Sequence, residues 1–308
     1  MEDSRIAQLR ESEARVWELW QLRPKETIVE VGRSSRLRIQ EVGSGEPVLF
    51  VHGTGGYGPY WAPLVADLSD YRCLMVDRPG WGGSDPVEFP KSTIKQFVAD
   101  LLAEALDKID IDKVHSVGAS IGDTWALALA TKHPARVKSV ALLGGGPLTD
   151  QVKIPAIIRL LRSPLGALMS KGRFSDKMET GQARRSGHGA ALDDGRMPQV
   201  YVDWKVEMTN NTSWRINERR MVRAVTGWRG WRPDLTFGST DLDSIPVPLL
   251  MIYGAADPIG TVQTWQAFVA SVPSGQLHVI DGAGHLPWFD DPDQVAGLLR
   301  DHLRSTTT

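Results

Sequence analysis

Apolar and polar positions follow two alternating rhythms along most of this chain. Strand-like runs at residues 27–31, 37–42 and 47–52 come first, and the Gly43-Ser44-Gly45 turn predicts that the latter two form a hairpin-like start. Beyond them, apolar runs at 72–76, 113–117, 137–143, 247–253 and 276–280 alternate with helical patterns at 92–108, 120–133, 261–272 and 292–304. Continuous apolar strands between amphipathic helices predict a mostly parallel sheet covered on both faces, an α/β fold.

Two segments stand outside that rhythm. In residues 1–24, Ile6, Leu9, Val16, Trp17 and Trp20 share one helical face and Pro24 closes the segment. This N-terminal helical extension is expected to dock on the body or on a second subunit, so a homo-oligomer stays open. Residues 147–245 carry Arg184, Arg185, Arg219, Arg220 and Arg223 together with Trp204, Trp214, Trp228 and Trp231, and read as helices and loops without buried strands. The expected organisation is therefore a core of residues 1–146 and 246–308. An inserted helical lid, 147–245, lies over the carboxyl ends of the strands, where open α/β sheets bind ligands. A purely structural helical subdomain would show the same pattern.

Composition narrows the partners. The net charge of −2 is spread over 308 residues without blocks of like charge, which argues against nucleic acid and membrane surfaces and for a small-molecule ligand. The charged N-terminus lacks a signal-peptide core and no later run approaches a membrane span, so a cytoplasmic location is expected. The single cysteine, Cys73, falls in a predicted strand and is expected to be a buried, inert thiol.

Chemistry concentrates at strand ends. In Gly118-Ala119-Ser120-Ile121-Gly122 a serine stands where an apolar strand turns directly into a helix, between small residues that leave room for a strained backbone. A serine hydroxyl needs a base, and the base needs a carboxylate to hold its ring. His285 follows the last predicted strand and Asp257 follows the one before it, so both reach the edge where Ser120 lies. Alone, Asp257 reads as a turn residue before Pro258 and His285 as a loop histidine. Together, in the order Ser, Asp, His, they predict a triad. For the developing oxyanion, the N–H of Ile121 and that of Thr54 in His52-Gly53-Thr54-Gly55-Gly56 are the expected donors, with Gly55 second. His52 is expected to brace that loop by hydrogen bonds.

These loops, with Asp77-Arg78-Pro79-Gly80-Trp81-Gly82-Gly83-Ser84-Asp85, resemble the α/β-hydrolase fold family from about residue 27 to 304. The resemblance implies an eight-stranded, mostly parallel sheet with helices on both faces and a structural turn at Asp77. It does not imply one reaction. Asp123 departs from the small residue often found there and reads as a first-turn acid favourable to the helix dipole. His188, in the insert, has no role legible in the sequence. No metal-ligand spacing or phosphate-binding loop appears, so neither metal nor cofactor is expected.

A serine at the elbow sets aside the relatives that use an aspartate there, the dehalogenases and epoxide hydrolases. The expected activity is hydrolysis of a small to medium carboxylic ester or lactone through an acyl-serine. Trp61, Trp81 and Trp288, with Gly55, are candidate substrate contacts and suggest an apolar or aromatic face, although core tryptophans would look the same. The alternatives are a carbon–carbon bond hydrolase of the meta-cleavage type, a cofactor-free perhydrolase, and a triad-bearing ligand receptor.

Overall fold

The computed structural model of the chain describes residues 2–32, 34–149, 152, 154, 156–169, 172–227, 230–242 and 245–306; Trp228 of the insert lies outside them. Each predicted apolar run is a strand: β1 (Lys25–Val31), β2 (Ser35–Val42), β3 (Glu46–Val51), β4 (Tyr71–Val76), β5 (Val114–Ala119), β6 (Val137–Leu143), β7 (Leu249–Gly254) and β8 (Gly275–Ile280). They form one sheet in the order β1-β2-β4-β3-β5-β6-β7-β8, antiparallel at β1/β2 and β2/β4 and parallel elsewhere. The strands β4, β5, β6 and β7 are buried almost throughout, as strands covered on both faces must be.

The expected hairpin between the second and third strands is not there. The hairpin joins β1 to β2, and β4 lies between β2 and β3. The Gly43–Gly45 turn carries the chain across the start of β4 instead, so closely that a Cβ on Gly43 would stand 2.2 Å from the Tyr71 carbonyl oxygen. Burial explains the exchange: Val48, Leu49, Phe50 and Val51 are all buried, and such a strand is most stable in the middle of a parallel sheet.

The N-terminal helix, Glu2–Leu19, docks on its own chain. Val16 and Trp17 are buried, Gln8 donates to Glu207 in the insert at 2.9 Å, and Glu13 meets the guanidinium of Arg38 at 2.9 Å. Arg38 is fully buried and also holds Asp77 at 2.5 Å, so the helix ends up tied through one arginine to the turn after β4. Breaking such a group by removing one partner leaves an uncompensated buried charge. No described helix is long and apolar enough to cross a membrane.

Between the adjacent strands β6 and β7, the insert contributes helices Ala156–Arg162, Pro164–Met169, Asp176–Arg185, Gly189–Asp193, Gln199–Asn211, Trp214–Val225 and Ser239–Leu242, and among the described residues it adds no strand to the sheet. Its Trp204 is wholly buried, edge-on to Tyr57 at 5.1 Å, and donates its indole N–H to the Tyr57 hydroxyl at 3.1 Å. Trp204 therefore fastens the insert to the core. Trp204→Ala is expected to destabilise by about 3–5 kcal/mol, as large-to-small core changes do. Thermal melting measures that loss, while the ratios of kcat/KM among ester substrates should stay as they are; changed ratios at an unchanged Tm would contradict this role.

Candidate active site

Ser120 sits at the junction of β5 and helix Ile121–Lys132 with φ 57° and ψ −124°, a conformation a side chain adopts only under constraint. The constraint is close packing on both sides. A Cβ on Gly122 would lie 2.0 Å from the Val51 carbonyl oxygen, and one on Gly118 would lie 2.6 Å from the Asp123 backbone. The turn can form only with those two glycines, and it lifts the serine to the carboxyl edge of the sheet.

Asp257 and His285 meet at that edge. The Asp257 Oδ1 accepts the Ile259 N–H at 2.8 Å, which is the turn role its place before Pro258 suggested. Its Oδ2 accepts both the Gly145 N–H at 2.7 Å and His285 Nδ1 at 2.9 Å. One carboxylate thus serves the turn with one oxygen and the imidazole with the other. Burial works to raise the Asp257 carboxyl, but His285 and the two backbone donors outweigh it and hold it below the usual range. Burial likewise pulls the His285 imidazole down, and Asp257 overcomes that and raises it above its ordinary value. Among the described residues no hydrogen bond joins the Ser120 hydroxyl to His285; contacts of this kind commonly tighten only around substrate.

The loop facing the serine is braced from behind. His52 Nδ1 bonds the Gly53 carbonyl at 2.8 Å, and its Nε2 accepts the Arg78 N–H at 2.9 Å, so the ring is neutral and bridges two loops. Burial and the Arg78 charge both push its pKa well down. Asp77 accepts N–H groups from Gly58 at 3.1 Å and Gly83 at 2.9 Å, the structural turn the resemblance implied. Gly53 abuts the serine: a Cβ there would lie 3.0 Å from Ser120 Cβ. Thr54 follows Gly53 directly in this loop, and Ile121 is the first residue of the helix after Ser120.

The insert contributes charges that sequence patterning missed. Glu218, on helix Trp214–Val225, accepts the Thr54 hydroxyl at 3.1 Å, and the Lys205 ammonium donates to the Gly55 carbonyl. Lys205 also stands 3.9 Å from Glu179, and all three side chains are buried or nearly so. Glu218 precedes Met221 and Val222 by one helical turn on the buried face, which was the available signal. Burial pushes its carboxyl up to about 7, against Arg78 and Thr54. An acid whose pKa is higher folded than unfolded stabilises fully below the unfolded value, and that contribution is lost as pH rises through the folded one. Stability is therefore expected to decline from about pH 4.5 to about pH 7. Glu218→Gln should flatten the decline and exceed the wild type near pH 8 by at most about 3 kcal/mol. Equal pH dependence of Tm in both proteins would rule out this source.

A cavity of about 70 Å³ lies between core and insert, bounded by Thr54, Tyr60 and His285 below and by Glu179, Tyr201 and Lys205, among others, above. A larger space of about 610 Å³ under the N-terminal helix, beside Arg10, Glu13 and Trp17, contains none of the predicted catalytic residues. The expected tryptophan contacts are corrected here. Trp61 and Trp288 are wholly buried and stacked at 4.9 Å, and Trp81 is buried against Arg78, with 4.4 Å from guanidinium to ring. Their large apolar surfaces are spent in the core, and none bounds the cavity. Gly55 is covered by Lys205 and Trp214, whose nearest atoms lie 3.2 and 3.7 Å from where its Cβ would be.

Asp123 is also more deeply placed than a first-turn acid facing solvent. It is fully buried, accepts the Leu143 N–H at 3.3 Å, and is raised well above the ordinary carboxylate value by burial. It braces the end of β6, and Asp257 holds the loop that follows.

The alpha/beta hydrolase fold family model matches residues 46–292. Among curated proteins, the chain is 28% identical over 280 residues to a 2-hydroxy-6-oxononadienedioate/2-hydroxy-6-oxononatrienedioate hydrolase of Cupriavidus pinatubonensis, covering 87% of this chain and 90% of that protein. Among solved structures, naproxen esterase from Bacillus subtilis superposes with a TM-score of 0.73 at 21% identity over 96% of each chain. A 2-hydroxy-6-oxo-6-phenylhexa-2,4-dienoate hydrolase from a Rhodococcus strain also gives 0.73, at 20% identity over 92% of this chain and 99% of that one.

Proposed function

Because the chain belongs to the α/β-hydrolase fold family, we propose that it is a serine hydrolase that cleaves a small to medium carboxylic ester or lactone through an acyl-serine. The observation that carries this reading is the 2.9 Å bond between His285 Nδ1 and Asp257, at the same sheet edge as the strained Ser120. With Nδ1 committed to the carboxylate, Nε2 is left to take a proton.

In this reading Ser120 Oγ attacks the ester carbonyl carbon while His285 Nε2 accepts the hydroxyl proton. The carbonyl oxygen becomes negative between the Thr54 and Ile121 amides. Collapse breaks the carbon–oxygen bond, and the imidazolium returns its proton to the departing alcohol. Water then repeats the sequence on the acyl-serine, and the acid leaves with Ser120 restored. Asp257 stays ionised throughout and stabilises the imidazolium.

A second reading, hydrolysis of a carbon–carbon bond in a dienoate, is favoured by the names of the curated relatives. The cavity speaks for a substrate with a polar end in either case, since Glu179 and Lys205 border it and the tryptophans do not. Purified protein tested against p-nitrophenyl esters, lactones and dienoates separates the two readings. Sustained ester or lactone turnover supports the first, and preference for a dienoate supports the second. Release limited to one event per molecule on every substrate would refute both.

A further inference from the structure

The loop that carries His285 is held at three successive backbone amides, each by a different acceptor. Gly284 N–H donates to Asp290 Oδ2 at 2.9 Å, His285 N–H to the Ser186 carbonyl at 2.8 Å, and Leu286 N–H to His188 Nε2 at 3.1 Å. Ser186 and His188 both belong to the insert. His188 Nδ1 in turn bonds the same Asp290 Oδ2 at 2.7 Å. Because Nε2 accepts from an amide, the proton of a neutral His188 must sit on Nδ1, pointing at Asp290. Both side chains are nearly inaccessible, at 2% for His188 and 6% for Asp290.

The backbones themselves are in contact here. A Cβ on Gly284 would lie 2.4 Å from the Ser186 carbonyl oxygen, and one on Gly187 would lie 2.6 Å from Gly284 Cα and 2.7 Å from the Ala256 carbonyl oxygen. Gly187 has φ +92°, which a side chain would also disfavour. The turn 186–188 is thus seated on the histidine loop and on the chain just before Asp257. At this point the insert is fastened to the machinery rather than resting over it.

We propose that His188 and Asp290 form a positioning pair for the catalytic histidine, through which the insert sets the orientation of the His285 ring. The proposal rests on the reading of His285 as the base for Ser120. Both hold the His285 loop by its backbone amides rather than by a bond to the His285 ring, and His188 also borders the cavity beside it. Asp290 fixes the loop before His285, His188 fixes it after, and the bond between them makes the two restraints one unit. Displacement of the ring by a fraction of an ångström would weaken proton transfer without removing any substrate contact.

His188→Leu removes both of its hydrogen bonds, whereas His188→Gln can supply a donor and an acceptor. With an ester that the wild type turns over, His188→Leu is expected to lower kcat by about 10- to 100-fold with KM changed only a few-fold, and His188→Gln to recover most of the loss. Rates are taken per active site, titrated with a serine-directed phosphonate. A lower Tm with kcat per site unchanged means that His188 only stabilises the fold, and overturns the proposal. Should the leucine variant not fold, histidine ¹⁵N NMR of the wild-type protein decides instead: His188 is expected as the neutral Nδ1–H tautomer, and the Nε2–H tautomer overturns the proposal. Phosphonate labelling of wild-type Ser120, and its loss in His285→Ala, tests the base reading separately. An unlabelled wild type ends both ideas, while a labelled wild type with undiminished His188→Leu turnover ends the positioning pair alone.

Discussion

Ser120→Ala is expected to lower kcat by up to about 10⁶-fold, the loss seen when the nucleophile of a triad is removed and only the oxyanion donors and binding remain. The fold should survive, because the hydroxyl has no hydrogen-bond partner among the described residues and alanine keeps the Cβ that packs against Gly53. The strained turn does not depend on the hydroxyl either. Its shape is imposed by the approach of Gly118 and Gly122 to neighbouring backbone. Circular dichroism and thermal melting check the fold, and a serine-directed phosphonate checks the chemistry, adding one label per chain in the wild type and none in the variant. Label on another residue, or turnover that persists in the variant, would remove Ser120 from the mechanism.

Asp257→Asn is expected to reduce kcat by about 10⁴-fold with little change in shape. Asparagine has one acceptor oxygen, so it can keep the Ile259 bond that shapes the turn, while its amide nitrogen, placed toward Gly145 and His285, accepts from neither and no longer holds the His285 proton on Nδ1. The pH profile gives a second readout. His285 must be neutral to act as a base, and Asp257 raises its pKa above the ordinary value despite burial. In the wild type, kcat/KM should therefore fall with decreasing pH along a limb that lies above the ordinary histidine value. Without the carboxylate only burial remains, and it disfavours the imidazolium, so the limb should move to lower pH in Asp257→Asn. A limb that does not move, or a larger loss in Asp123→Asn, would shift the acid role to Asp123. The geometry opposes that outcome, since Asp123 is committed to the Leu143 amide and is kept toward its neutral form by burial.

The sequence by itself determined the eight strands, the helices between them, the elbow serine and the two loops that carry Asp257 and His285. All of these are local signals: a continuous apolar run marks a buried strand, and glycines around a polar residue at a strand end mark a tight turn. Its place at a strand end also pointed to a bracing role for His52, while the structural turn at Asp77 was legible only through the family resemblance. Only the tertiary structure decided which strand lies beside which. The turn at Gly43 is compatible with a hairpin and with a crossing over β4, and the burial of β3 on both faces selects the crossing. Tertiary packing likewise decided the tryptophans, since an indole in a loop is equally suited to ligand and core until the neighbours are known. The charged residues Glu179, Lys205, Glu218 and Asp290 went unread for a related reason. Along the sequence they look like solvated helix or turn residues, and they become site residues only because the insert folds back onto a loop 150 positions from Lys205 and 164 from Glu218, carrying Glu179 to the same cavity, or, for Asp290, because a nearby turn closes on itself. Periodicity reports which face of an element is buried. What it is buried against depends on contacts between distant segments, and those are set by how the whole chain packs.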